Sequence, residues 1–207
     1  MKSLLKDALI LLCITLVAGA ALGFVYSITK DPIAKGKAAA ELKSYNDVFA
    51  NASDFTEVKD LKLPNGNNKS NDFVAAGYSE VDINKLLLAK DSSGSVLGYV
   101  LIVTSKAGYG GDITFSMGIT REGDITSLSL LSISETAGLG MKAPTDLVPQ
   151  FAGKKALELT LVKSGDASES QIDAMSGATI TSKAITTAVN GGIYFFQTEL
   201  GGGTYEG

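Results

Sequence analysis

The chain has 207 residues, of which 45% are hydrophobic and 19% charged, so a packed core is expected and disorder is excluded. The formal net charge of −4 at pH 7 does not fit the basic surface that binding to DNA or RNA requires. One Cys and no His exclude an intramolecular disulfide framework, the usual zinc sites and Ser-His-Asp or Cys-His catalysis. We therefore expect no metal ligands, no catalytic residues and no nucleic-acid partner.

The first predicted element is an apolar helix near the N-terminus. Residues 8–28 form a run of 21 residues without a charged side chain. At about 1.5 Å per residue, a helix over this run would span roughly 31 Å, close to the thickness of the hydrocarbon core of a bilayer. The run therefore predicts a transmembrane helix, with Tyr26 near its far end as an interfacial aromatic residue.

A cleaved signal peptide is the alternative interpretation of the same run. Lys2 and Lys6 would form its basic region, and Ala18-Gly19-Ala20 matches an A-x-A cleavage site. The apolar run continues to Ile28 instead of ending at that site, which favours a retained anchor in the cell membrane. Because a long domain after an N-terminal signal anchor is usually exported, we expect an extracytoplasmic domain. The predicted order is a cytoplasmic segment at 1–7, a membrane span at 8–28, a juxtamembrane helix at 29–50 and the extracytoplasmic domain at 51–207.

Beyond the apolar run, the sequence predicts a helix, a polar loop, several strands and a final helix. Asp31-Pro32 is typical of a helix start, with Asp as the N-cap and Pro at the first helical position. Residues 64–71 form the polar loop, and apolar residues at spacings of three and four from Ile180 predict the final helix. Apolar and β-branched runs between turn signals predict strands at 83–89, 96–104, 113–119, 125–133 and 157–162. This order predicts an α+β domain with an antiparallel sheet and flanking helices, preceded by one transmembrane helix.

Three glycine-containing segments are candidates for a binding site. The first, Gly108-Tyr109-Gly110-Gly111, does not match the dinucleotide-binding pattern G-x-G-x-x-G, and no helix is predicted after it, so we interpret it as a tight turn. The sequence also lacks G-x-x-x-x-G-K-[ST], which excludes the P-loop enzymes. The second, Glu135-Thr136-Ala137-Gly138-Leu139-Gly140, follows a predicted strand, and taken alone it is a loop that leaves that strand.

The third segment, Asp173-Ala174-Met175-Ser176-Gly177-Ala178-Thr179, precedes the final helix. Hydroxyl side chains at this place can cap the free N–H groups of a helix. Capping explains the hydroxyls from Thr179 to Ser182, but it gives no reason for Asp173 or for Ser176-Gly177-Ala178. A helix N-terminus with a hydroxyl and a glycine beside it also suits a phosphate group.

The string from Asp173 to Thr179 resembles the flavinylation motif of the FMN-binding domain family. The segment from Glu135 to Gly140 is similar to the E-T-P-G-L-G loop of that family, with Ala137 where Pro is common. The order, the length and both motifs most resemble the G subunits of Rnf-type electron-transport complexes, which are relatives of the C subunit of the sodium-pumping NADH:quinone reductase. The resemblance covers nearly the whole chain.

The resemblance implies that Thr179 bears FMN through a phosphoester. A free Thr hydroxyl is a poor nucleophile, and no His is present to activate it, so self-attachment is not expected. The resemblance implies a separate Mg²⁺-dependent flavin transferase that moves FMN from FAD, with Asp173 as a recognition element. The expected cofactor-binding residues are Asp173, Ser176, Gly177, Ala178, Thr179 and Thr181 around the attachment point, and Glu135, Thr136, Gly138, Leu139 and Gly140 beside the isoalloxazine ring.

The expected function is that of a membrane-anchored, electron-carrying subunit of an Rnf-like ferredoxin:NAD⁺ oxidoreductase coupled to ion movement. Such a subunit is not catalytic alone, and its partners would be the other membrane subunits of the complex. Two alternatives stay open at this point. One is a covalent-FMN subunit of another exported respiratory or reductase system, and the other is a non-redox anchored structural or binding module.

Overall fold

The computed structural model of the chain describes residues 2–163 and 168–206. The chain divides into two compact units, Met1–Leu42 and Lys43–Gly207. The first unit is helical. The second unit contains the sheet, the remaining helices and all the predicted cofactor-binding residues.

Helix α1 spans Lys2–Val48 and supplies the whole described part of the first unit. Its apolar segment contains no buried residue and is long and hydrophobic enough to cross a membrane. In the described part of the chain it is the one helix that meets this test of length and composition. A retained anchor and a signal sequence near the N-terminus share these properties.

The prediction that a helix begins at Asp31 was wrong, because Asp31 and Pro32 lie inside α1. A proline inside a helix removes one backbone hydrogen bond and crowds the carbonyl group four residues earlier, at a cost of about 3 kcal/mol. The residues after Pro32 are rich in Ala, Lys and Leu, which favour helices, and they continue the helix.

A five-stranded antiparallel sheet forms the centre of the second unit, with its strands in chain order. The strands are β1 Asp54–Glu57, β2 Val81–Lys90, β3 Val96–Ser105, β4 Ile113–Thr120 and β5 Ile125–Ser132. Leu101 lies opposite Leu86 on one side and Met117 on the other, so apolar side chains form a row across one face. The predicted polar loop at 64–71 leads into a short helix, α2, at Asn71–Ala75.

Helical segments cover both faces of this sheet. Helix α4, Thr179–Thr198, packs on one face, where Ile185 and Val189 are buried in the same cluster as Leu101. The last turns of α1 cover the opposite face through Tyr45 and Val48. Because each fully buried aliphatic side chain stabilises the fold by roughly 1.5–3 kcal/mol, these contacts fix α4 firmly against the sheet. The predicted α+β fold with one N-terminal apolar helix is confirmed.

Between β5 and α4 the chain forms short elements that hold the residues before α4. They are helix α3 at Ala143–Asp146 and two parallel strands, β6 at Thr160–Val162 and β7 at Gln171–Asp173. The predicted strand at 157–162 is shorter than expected, because the Asn190 side chain bonds both backbone groups of Leu159, at 2.9 and 2.8 Å. The Gln150 side chain holds β7 in the same way, through the N–H and the carbonyl of Asp173 at 2.7 and 3.1 Å.

One buried carboxylate, in β2, ties this strand to the segment between β1 and β2 and to the loop after β3. Asp82 forms ion pairs with Lys69 at 2.8 Å and Lys106 at 3.1 Å, and it accepts a hydrogen bond from the Gly66 N–H at 3.0 Å. Burial acts to raise the pKa of Asp82, but the bonds from the two lysines and Gly66 outweigh burial and hold the pKa below its ordinary value. Asp82 therefore stays charged and links three separate segments.

Candidate functional site

Helix α4 begins at Thr179, after a turn that its own residues shape. Gly177 has a φ of +73°, a left-handed conformation that residues with side chains rarely adopt. The buried Ser182 hydroxyl accepts a hydrogen bond from the Met175 N–H at 3.0 Å and donates to the Ala178 carbonyl at 2.9 Å. The sequence before the helix thus turns the chain so that Thr179 becomes the first helical residue.

The hydroxyl side chains at the start of α4 differ in exposure. Thr179 is exposed, whereas Thr181 is 2% exposed and Ser182 is 0% exposed. The Thr181 hydroxyl donates to Glu135 at 2.8 Å, and the Ser182 hydroxyl is used inside the turn. Of these three, Thr179 is the hydroxyl that a reagent can reach from solvent.

The loop after β5 lies beside this helix start. The N–H groups of Leu139 and Met141 close its turn by donating to the Thr136 carbonyl at 3.1 and 3.2 Å, and Gly138 has a φ of +78°. A Cβ atom at Gly177 would lie 3.1 Å from Leu139 Cδ2. The absence of a side chain at Gly177 therefore allows the loop to approach the start of α4 closely.

Glu135 connects this loop to two other segments. Its Oε2 atom accepts the hydrogen bond from Thr181, and its Oε1 atom accepts one from the Gly110 N–H at 3.2 Å. A Cβ atom at Gly140 would lie 2.7 Å from both Thr181 Oγ1 and Glu135 Cβ. A Cβ atom at Gly108 would lie 2.9 Å from Glu135 Oε1. Glycine at these positions leaves the space that the carboxylate occupies.

These segments line a cleft that is open to solvent and has a volume of about 510 Å³. This volume is within the range typical of small-molecule sites. The cleft contains residues from both predicted groups and from the loop after β3. Its lining residues are Tyr109, Glu135, Thr136, Leu139, Gly140, Gly177, Ala178, Thr179, Ile180 and Thr181. Three of them, Tyr109, Leu139 and Ile180, are large hydrophobic residues with exposed side chains.

The predicted cofactor-binding residues line this cleft except for Asp173, Ser176 and Gly138. Gly138 lies in the turn beside the lining residues, and a Cβ atom there would meet no described atom within 4 Å. Ser176 is exposed in the turn before α4. Asp173 is half-buried at the end of β7, with its backbone held by Gln150.

Tyr109 and Ile180 line the cleft although no sequence motif identifies them. Tyr109 lies in the glycine segment that the sequence predicts to be only a tight turn. That turn reaches the cleft through the bond from Gly110 to Glu135, which lies 25 residues further along the chain, so no local pattern shows it. The sequence offers one indication, an aromatic residue between two glycines, but such a pattern is also typical of a tight turn.

The cleft provides both kinds of contact that FMN requires. The first turn of a helix presents unpaired N–H groups and a partial positive charge, which is a suitable setting for a phosphate at Thr179. The hydrophobic side chains in the lining offer a surface to an aromatic ring system. The residues present therefore fit FMN.

Two family models match the chain. The FMN-binding domain model matches residues 108–193, a range that includes every residue lining the cleft. The RnfG N-terminal region model matches residues 1–48, which correspond to α1.

Several relatives match over most of their length. The G subunit of the Na(+)-translocating ferredoxin:NAD(+) oxidoreductase complex of Acetobacterium woodii is 32% identical, over 95% of this chain and 93% of that protein. The G subunit of the ion-translocating oxidoreductase complex of Methanosarcina acetivorans is 28% identical, over 97% of this chain and 98% of that protein. The G subunit of the proton-translocating ferredoxin:NAD(+) oxidoreductase complex of Clostridium ljungdahlii is 38% identical, over 60% of this chain and 67% of that protein. The chain belongs to the RnfG family, the G subunits of Rnf complexes, and contains the FMN-binding domain of that family.

Proposed function

We propose that the chain is the electron-carrying subunit of an ion-translocating Rnf complex with ferredoxin:NAD⁺ oxidoreductase activity. The proposal is supported by family membership and by similarity over nearly the full length to the Acetobacterium woodii protein, whose complex carries that activity in its name. Bound FMN accepts one or two electrons and can therefore connect carriers of either kind. The chain lacks His, which suits a role in holding the cofactor within an assembly of membrane subunits.

Thr179 is the attachment residue in this proposal. The observation that carries it is that Thr179 is the exposed hydroxyl in the cleft at the start of α4. The neighbouring hydroxyls of Thr181 and Ser182 are buried and form hydrogen bonds within the protein. A phosphoester at Thr179 places the phosphate at the positive end of the helix dipole.

Attachment exchanges one phosphate bond for another. The Thr179 Oγ atom attacks the flavin-side phosphorus of FAD, the P–O bond of the pyrophosphate breaks, and AMP leaves. The hydroxyl proton passes to a base of a separate Mg²⁺-dependent flavin transferase, because the chain has no His to accept it. Asp173 and the exposed Ser176 precede Thr179 in the motif and contribute to recognition by that transferase.

Residues 8–28 anchor the chain in the membrane in this proposal, with residues 1–7 in the cytoplasm. The juxtamembrane segment at 29–50 and the domain at 51–207 then lie on the outer side. The exposed apolar segment of α1 supports a membrane location for the first unit. A covalent bond to the flavin has a clear use there, because cofactor lost outside the cytoplasm cannot be replaced from the cytoplasmic pool.

Substitution of single hydroxyls tests the attachment site. The full-length chain is co-expressed with a flavin transferase, and wild type, Thr179→Val and Thr181→Val are compared on a denaturing gel. Wild type and Thr181→Val should show a fluorescent flavin band, and Thr179→Val should show none. The fold of Thr179→Val should persist, because valine keeps the branched shape and the N-cap residue of α4 is Ala178, not Thr179.

Mass spectrometry completes this experiment. The wild-type peptide that contains Thr179 should be heavier by FMN minus one water. A fluorescent band in Thr179→Val would overturn the assignment of the residue. Covalent flavin in wild-type protein made without the transferase would overturn the need for a second enzyme.

The intact mass of the membrane-extracted protein tests the anchor. A retained anchor gives a chain that still includes residues 8–28. A mature N-terminus at Ala21, directly after the A-x-A site, would show that the apolar run is a cleaved signal peptide.

A further inference from the structure

Glu135 lies where the three segments around the cleft meet. Its Oε1 atom accepts from the Gly110 N–H at 3.2 Å, and its Oε2 atom accepts from the Thr181 hydroxyl at 2.8 Å. Gly110 belongs to the loop after β3, and Thr181 belongs to the first turn of α4. The two carboxylate oxygens therefore join two segments beside the cleft whose donors lie 71 residues apart in the chain.

Three glycines surround Glu135 closely. A Cβ atom at Gly140 or at Gly108 would lie within 2.9 Å of a Glu135 side-chain atom. A Cβ atom at Gly110 would collide with the carbonyl oxygen of Ser134, the residue before Glu135. Real Cβ atoms essentially never approach other atoms so closely, so any side chain at these positions would displace the carboxylate or its loop. The local sequence is thus built to seat Glu135.

The two hydrogen bonds that Glu135 accepts, from Gly110 and Thr181, form a bridge between the segments that carry the hydrophobic residues of the cleft. Tyr109 and Ile180 directly precede the two residues that donate to Glu135, and Leu139 lies in the same loop as Glu135. All three are large hydrophobic residues with exposed side chains. Loss of the bond to Gly110 would remove the link through Glu135 between the loop that carries Tyr109 and the first turn of α4. The width of the cleft therefore depends on Glu135.

We infer that Glu135 is a positioning residue, which holds the cleft walls together around the flavin ring and keeps a negative charge beside it. This inference rests on the proposed function of the cleft. Electron uptake adds negative charge to the ring, and a nearby carboxylate opposes this charge by Coulomb repulsion. Glu135 therefore lowers the midpoint potential of the flavin in addition to limiting the motion of the ring.

Two substitutions separate the charge from the bridge in the full-length, flavinylated protein. Glu135→Gln removes the charge but keeps an oxygen that can accept from Gly110, whereas Glu135→Ala removes both the charge and the bridge. Glu122→Gln in the exposed turn between β4 and β5 is the matched control. A further variant, Thr181→Val, removes one arm of the bridge and leaves the charge in place.

The expected results differ for each variant. Glu135→Gln should shift the midpoint potential to a more positive value while most of the visible circular dichroism of the flavin persists. Glu135→Ala should give the same positive shift with a loss of visible circular dichroism and a lower fluorescence anisotropy of the ring. Thr181→Val should lower the anisotropy with a smaller shift of the potential, and Glu122→Gln should match wild type.

All variants should retain the fluorescent band on a denaturing gel, because Thr179 is unchanged. A flavinylated Glu135→Gln protein with the wild-type potential, or an unchanged anisotropy in Thr181→Val, would overturn the inference. These two variants decide the question even if Glu135→Ala fails to fold. Absence of covalent flavin from wild type would instead overturn the proposed function.

Discussion

Asp82 and Glu135 both use a carboxylate to join separate segments, but their surroundings differ. Asp82 is buried and faces two lysines, Lys69 and Lys106. Glu135 is half-buried beside an open cleft and receives one backbone N–H and one hydroxyl, and no ion pair to it occurs within residues 2–163 and 168–206. The charge of Asp82 is balanced by lysines, so this carboxylate stabilises the fold. Among the described residues, Glu135 has only neutral donors, so no neighbouring positive charge offsets its electrostatic effect on a molecule in the cleft.

The largest expected effect comes from breaking the structural link. Asp82→Asn leaves Lys69, which is largely buried, without its ionic partner, and removal of one member of a buried pair costs about 3 kcal/mol. Urea unfolding of the full chain in detergent should show this loss of unfolding free energy, while the flavin potential of the folded protein should be unchanged.

Asp60→Asn is the matched control for that substitution, because Asp60 is exposed in the segment between β1 and β2. Its unfolding free energy should stay within about 0.5 kcal/mol of wild type. If Asp82→Asn were as stable as the control, the ion pairs of Asp82 would have no structural role and the contrast with Glu135 would fail.

A smaller effect is expected from two glycines on the site side of the comparison. Gly140→Ala places a Cβ atom 2.7 Å from Thr181 Oγ1, so the bridge to Glu135 must shift, and such overpacking costs about 2 kcal/mol. Gly138→Ala meets no described atom within 4 Å, and its left-handed φ of +78° costs about 1 kcal/mol. Gly140→Ala should therefore change the visible flavin spectrum more than Gly138→Ala does.

The two glycine variants check each other. Each has the same added methyl group, so the spectrum reports where the group lies and not its size. Equal changes in both spectra would mean that the turn around Gly138 contacts the ring directly. The spectrum would then not depend specifically on the contact between Glu135 and Thr181.

The sheet could be predicted from the sequence because its strands are apolar and β-branched runs between turn signals. β2 to β5 match the predicted runs to within a few residues, and most residues of β2, β3 and β4 are buried because helical segments cover both faces of the sheet. The edge strand β1, Asp54–Glu57, carries three charged or polar side chains and has no such pattern. Strand β7 has only three residues, too few to show a pattern. Its partner β6 begins after Leu159 because the Asn190 side chain bonds that residue, and a contact between residues so far apart in the chain cannot be seen in the local sequence.

The candidate site could be predicted only where its residues are adjacent in sequence. Both motif segments, around Gly138 and around Gly177, lie at the same cleft. Tyr109 was missed because its loop joins the site through one long-range hydrogen bond, from Gly110 to Glu135. The role of Glu135 was equally hidden, because its two donors come from different ends of the domain sequence.

The smallest expected effect is the pH dependence of stability that Asp82 contributes. In the folded chain, burial acts to raise the pKa of Asp82, but the bonds from Lys69, Lys106 and Gly66 prevail and lower it. In the unfolded chain the carboxyl group returns to its ordinary pKa of about 3.9. The unfolded state therefore binds the proton more readily, so the stabilisation is fully present above the unfolded pKa. It is lost as the pH falls through that value toward the folded pKa.

Urea titrations at about pH 7 and about pH 3 measure this contribution as the loss of unfolding free energy on acidification. Wild type should lose more than Asp82→Asn, because the variant lacks the carboxyl group whose pKa shifts on folding. The difference between the two losses of unfolding free energy is the contribution of Asp82 to the acid sensitivity. It should be smaller than the loss caused by Asp82→Asn at neutral pH, because the ion pairs persist in part at the lower pH. Equal losses in the two proteins would assign the acid sensitivity to other carboxyl groups. Lys69 and Lys106 would then not lower the pKa of Asp82 enough to affect stability.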